Sequence, residues 1–118
     1  GKQVVLQGAT HDVHVDGTAT FTTTVAADII ATAGVGRRIV VTAILVTNAH
    51  ATVGTKVEIR DGTTVKILGF VAAAGGRVSS NAGGTPLFIS TTNTAVTARC
   101  VTTGADVDVN ISGYTIGN

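Results

Sequence analysis

Between Val53 and Arg60 the chain alternates: Val53, Thr55, Val57 and Ile59 against Gly54, Lys56, Glu58 and Arg60. A period of two marks a half-buried strand, whereas a helix would scatter these residues around its surface. Beyond Asp61-Gly62 the odd positions Val65, Ile67 and Val71 are apolar and Lys66 falls among the even ones, so the two segments predict a hairpin. A two-residue Asp61-Gly62 loop would set Val57 opposite Lys66 and mix the faces. A three-residue loop with Gly62 as its left-handed residue keeps Val57, Ile59, Val65 and Ile67 together, and is the expected connection. Upstream, Ile39 to Val46 is apolar on both pleat faces, which predicts a central strand covered on both sides, with a second chain as one source of that cover. This unit, from Gly34 to Val71, organises the rest.

The flanking segments follow the same rule. Residues 10–16 predict a half-buried strand, with Val13 and Val15 on one face and Asp12, His14 and Asp16 on the other, ending in a turn at Gly17. Thr18 to Val25 forms a second strand around Phe21. Asp28 caps one helical turn within Ala26 to Ala33, which Gly34 stops. After the Ala72-Ala73-Ala74-Gly75-Gly76 break, Arg77 to Asn81 is a polar strand or loop, and Asn81-Ala82-Gly83-Gly84-Thr85-Pro86 is the strongest loop signal. Further strands start at Leu87 and Thr94. The last, Asp106 to Ile116, turns Val107, Val109 and Ile111 inward and Asp106, Asp108 and Asn110 outward. About eight short strands with glycine-rich turns predict an all-β antiparallel β-sandwich of the jelly-roll kind.

Composition changes this picture in one respect. At 118 residues there is one domain, 10–118, preceded by an arm or edge strand at 1–9. Charged residues are only 13% and hydrophobic ones 44%, with a mean hydropathy of +0.44, against the usual quarter charged. Threonine fills many positions where Lys and Glu would normally stand. With one proline and few lysines, exposed strand edges have few of the usual protections, so association with copies of itself or a larger assembly is expected. A net charge of +1 argues against nucleic acid as a partner, and no apolar run reaches membrane-spanning length or forms a leader.

Candidate chemistry is sparse. Cys100, the single cysteine, is in phase with Val96 and Ala98 and is expected in the core rather than as a reactive thiol. Asp12, His14 and Asp16 share a face and have metal-ligand chemistry, but such alternation is also what a solvated strand face shows. His50 has no Ser or Cys partner in the pattern. Asp106, Asp108 and Asn110 open like a calcium loop, yet Ile111 replaces its glycine and no Glu follows. Gly34-Val35-Gly36 lacks the third glycine of a dinucleotide fingerprint, where Ile39 stands, so these are turn residues. Phe21, Phe70 and Phe88 lie inside apolar segments and are assigned to the core, which leaves Tyr114 as the candidate stacking platform for a sugar and too few aromatics for stacking on nucleic acid. Neither an enzyme nor a cofactor is expected.

Several stretches together resemble the small β-sandwich virion proteins of tailed bacteriophages: Ala33-Gly34-Val35-Gly36-Arg37-Arg38-Ile39-Val40-Val41, the Lys56 to Thr63 hairpin, the Gly75-Gly76 break, and Val109-Asn110-Ile111-Ser112-Gly113-Tyr114. The likeness covers Ala26 to Tyr114 and lies in layout rather than in a diagnostic motif. Among such proteins are head decoration, or cement, proteins that sit on the capsid exterior, often as trimers, and tie major capsid subunits together. The resemblance therefore implies a structural virion protein made in the host cytoplasm, with the major capsid protein and copies of itself as partners. On this reading the arm residues Lys2, Gln3, Val4, Val5 and Leu6 are candidate capsid contacts. A host-recognition or tail-fibre module binding a receptor or glycan through polar loops is the alternative.

Overall fold

Alternation becomes strand along most of the chain. The computed structural model describes residues 13–81 and 85–117, and the expected arm at 1–9 lies outside them. The described residues form nine strands: β1 (Val13–Phe21), β2 (Ala27–Ile30), β3 (Arg37–Asn48), β4 (Thr55–Asp61), β5 (Thr64–Val71), β6 (Arg77–Asn81), β7 (Phe88–Ile89), β8 (Val96–Cys100) and β9 (Val107–Gly117). A long sheet runs β1-β9-β3-β6, with β7 also on β3, and a short sheet runs β2-β8-β4-β5. Every pairing is antiparallel. The pairs β1·β9, β2·β8, β3·β6 and β4·β5 are those of one long hairpin folded at β4–β5 and rolled so that its strands alternate between sheets. That is a jelly roll.

The core lies between the sheets. Ile39, Val57, Ile59, Val96, Val107 and Val109 are among the side chains removed from solvent there, each worth about 1.5–3 kcal/mol. The expected central strand is β3, flanked by β9 along its length. Its two-faced apolarity is resolved by a bulge between Val41 and Ala43. Ile39 and Val41 point inward before it, Ile44 and Val46 after it. Val40 is 1% exposed although it lies outside the inter-sheet cluster; Tyr114 and Ile89 flank it in register on the outer face. The chain thus buries this part of β3 itself.

Three local expectations are corrected. Gly17 makes no turn: β1 runs straight through it, pairing Val13 to Phe21 with Thr115 to Val107. A Cβ on Gly17 would lie 1.9 Å from the Ile29 carbonyl oxygen, so the glycine lets β2 of the opposite sheet approach. Residues 27–30 are strand β2 rather than a helical turn, and its bulge between Asp28 and Ile30 lets Ile29 and Ile30 both be buried. Four residues with two isoleucines bury more as an edge strand than a single helical turn could, even one capped by Asp28.

The β4–β5 hairpin also differs. Asp61 pairs with Thr64, so the loop is Gly62-Thr63, with Gly62 at φ 60° in the position where a type II′ turn takes glycine. A bulge at Lys66, between the Ile59↔Ile67 and Arg60↔Val65 pairs, then restores register. Val57, Ile59 and Ile67 face the core as expected, whereas Val65 faces out.

Candidate interaction surfaces

Alternation fixes what the short sheet shows to its surroundings. Thr55, Val57, Ile59 and Asp61 of β4 are buried, which turns Lys56, Glu58 and Arg60 outward. Register sets Phe70 beside Lys56, Leu68 beside Glu58 and Val65 beside Arg60. The outer face therefore carries a charged column on β4 and an apolar column on β5. Phe70 is 60% exposed, Leu68 55% and Val65 43%. Phe70 was expected in the core; it lies on the outward parity of β5, and Gly69 and Val71 occupy the inward positions around it. Since β5 ends the sheet, its second edge pairs with no described strand.

Charge on this face is unequal. Glu58 accepts a 2.8 Å hydrogen bond from Arg99 Nε, a partly buried ion pair across β4 and β8. Arg60 Nε donates to Thr97 Oγ1 at 3.1 Å, which in turn donates to the Gly62 carbonyl at 2.6 Å. With Glu58 engaged by Arg99, the positive charges of Lys56, Arg60 and Lys66 dominate around the apolar column.

The long sheet presents small polar groups instead. Its outer face places Asp108 opposite Thr20, Asn110 opposite Leu45 and Thr18, and Ser79 opposite Leu45. Thr20 Oγ1 donates to Asp108 Oδ1 at 2.7 Å. A shallow depression on this face is lined by Ala43, Leu45, Arg77, Ser79, Asn110 and Ser112 among others. Tyr114, the expected stacking platform, is half-buried here beside His14 and Val40 in register.

His50, Cys100, Gly34 and Gly36 take structural roles. His14 Nε2 and Asp16 Oδ2 lie 3.2 Å apart on the exposed face of β1, while Asp12 is outside the described residues. Among the described residues no group of three or more His, Cys, Asp or Glu side chains is placed to hold a metal. His50 Nδ1 accepts the backbone N–H groups of Thr52 (3.1 Å) and Val53 (3.0 Å), closing its own loop. Cys100 is buried, and desolvation pushes its thiol pKa above the ordinary value, so it stays protonated and unreactive. Gly34 and Gly36 have positive φ in the turn before β3, closed by the Arg37 N–H on the Gly34 carbonyl at 3.1 Å. The arm residues Lys2, Gln3, Val4, Val5 and Leu6, and residues 82–84 of the polar loop, are not among those described.

Two polar anchors escaped the sequence pattern. Asn48 is fully buried: its Nδ2 donates to the Val53 (2.8 Å) and Val71 (3.2 Å) carbonyls, and its Oδ1 accepts from His50 (3.0 Å) and Asp106 (3.4 Å) backbone N–H groups. One side chain thus ties β3, β5 and two loops. Its signal was an asparagine in phase with the inward Ile44 and Val46. Asp61, expected only as a turn residue, is buried and its Oδ2 accepts from the Thr91 N–H (3.0 Å) and hydroxyl (2.7 Å), pinning the loop before β8.

No family model and no curated protein matches the sequence. Among solved structures, the chain is similar to one from the acid-stable capsid of Helicobacter pylori bacteriophage KHP30, with a TM-score of 0.56 at 12% identity, covering 92% of this chain and 96% of that one. Two others score lower: a chain from Bacillus endospore appendages, described as disulfide-linked pili (TM-score 0.47, 14% identity, 90% and 89% covered), and the Drosophila NLP core (0.49, 21%, 89% and 98%). At such identities the likeness to the capsid chain is one of fold, a single small β-sandwich matched nearly end to end.

Proposed function

We propose that this chain is a non-enzymatic structural protein of a tailed-phage virion, a head decoration or cement protein that binds the major capsid lattice from outside and associates as a homotrimer. The reading rests chiefly on the nearly end-to-end match between its fold and a chain of a phage capsid. The sequence likeness to phage virion sandwiches points the same way, as does a low-charge surface that carries an apolar column on β5. Binding energy repeated over a lattice, rather than chemistry at one site, is the function such a surface serves.

Sedimentation tests it. The purified protein is run alone and mixed with capsids of its own phage assembled without it. Trimers that co-sediment with the capsids are the expected result. A particle that ignores capsids but binds host cells or glycans would replace the proposal with a host-recognition module.

A further inference from the structure

We infer that the outer face of the short sheet is the capsid-facing surface, and that it docks on an apolar seam rimmed by carboxylates. The inference rests on the decoration reading and names the surface that carries it. Val65, Leu68 and Phe70 form a continuous row on a strand that ends its sheet, and together they expose on the order of 300 Å² of apolar surface. A stable interface buries about 800 Å² on each partner, so this row would be the centre of a larger footprint. The footprint has to extend over the neighbouring β4 column, whose Lys56 and Arg60 stand directly beside Phe70 and Val65.

Those charges select the partner. Glu58 is engaged by Arg99, leaving Lys56, Arg60 and Lys66 to set the sign around the apolar row. Two copies meeting through this face about a two-fold axis would bring like charges together. A partner with acidic groups around an apolar centre satisfies both columns at once. The long sheet offers no comparable centre: Leu45, the large apolar side chain that faces out in its depression beside Arg77, Ser79 and Asn110, is only partly exposed, and no row like Val65, Leu68 and Phe70 runs there.

The test uses the full chain and its own undecorated capsids. The double substitution Leu68→Asp/Phe70→Asp should weaken co-sedimentation at least about tenfold. Charge reversal by Lys56→Glu/Arg60→Glu should weaken it several-fold, and wild-type binding should fall as salt is raised. Ser79→Arg and Asn110→Arg, on the long sheet, should bind like wild type. Circular dichroism and the unfolding midpoint establish that each variant is folded; Leu68→Ala and Phe70→Ala give graded losses if the aspartates disturb β5. If wild type binds capsids and the short-sheet variants bind equally well, the inference is overturned and the decoration reading stands. Tighter binding after charge reversal would overturn the acidic rim. If Leu68→Asp/Phe70→Asp splits the free oligomer into monomers, the face belongs to a second copy and the inference is likewise overturned. Wild-type protein that ignores capsids removes both the reading and the inference.

Discussion

Strands β3 and β5 are both apolar on their two pleat faces, yet one lies at the centre of its sheet and the other at an edge. On β3 the outward Val40 is 1% exposed, buried within this chain; on β5 the outward Phe70 is 60% exposed. A run of apolar residues therefore marks a strand that requires cover on both sides, without saying whether the cover comes from the same chain. Position in the sheet decides that. The described residues supply it for Val40 and leave Phe70 uncovered.

The largest effect that would sharpen this contrast is a carboxylate placed on each strand. Val40→Asp should destabilise by about 4 kcal/mol or more, since it buries an unpaired charge, while Phe70→Asp should change stability by no more than about 0.5 kcal/mol. Urea denaturation of both variants reads the difference. Equal losses would mean that the outer face of β5 belongs to the core.

Next comes the end of β3. Asn48→Leu keeps the branching and heavy-atom count of the side chain but removes both acceptors' donor and both donors' acceptor, leaving buried backbone groups unpaired. A loss of about 3 kcal/mol is expected in the same denaturation measurement, with faster hydrogen exchange at His50 and Asp106. Unchanged exchange there would show that water replaces the side chain.

The smallest effect compares the outer faces. Arg99→Ala breaks the partly buried pair with Glu58 and should cost up to about 1 kcal/mol, reduced by salt, whereas Asn110→Ala on the long sheet should cost less than about 0.5 kcal/mol. Thermal midpoints at low and high salt distinguish them. A salt-independent loss for Arg99→Ala would assign its effect to packing of the side-chain stem.

Much of the fold was legible because alternation is a local signal. It located β4 and β9 and put Cys100 among the inward positions of β8, while the unbroken apolar run located β3. It also held the answer for Phe70, which shares the even, outward parity of Leu68 on β5; its place inside an apolar segment argued for the core, and parity was the better guide. What stayed hidden depends on contacts between distant segments. The close approach of Ile29 that requires Gly17, the bulges at Thr42 and Lys66, and the four backbone partners of Asn48 exist only when two sheets meet. Asp28 misled for a related reason: a capping residue beside alanines suits a helical turn, but β8 offered Ile29 and Ile30 a place to be buried. The candidate surface was legible only in part, since an apolar edge column becomes visible once β5 is known to end its sheet.

The pairing of β3 with β9 has a consequence for biosynthesis. Partners along that ladder lie 59 to 80 residues apart, from Asn48↔Val107 to Arg37↔Gly117. At about 5–20 residues per second, a ribosome delivers β9 several seconds after β3 has emerged. During that interval Ile39 to Val46 has no partner on its β9 side, so the nascent chain exposes its most apolar strand as a template for other chains. High-level expression should therefore favour inclusion bodies over soluble product, and slower translation or a holding chaperone should recover the native fold.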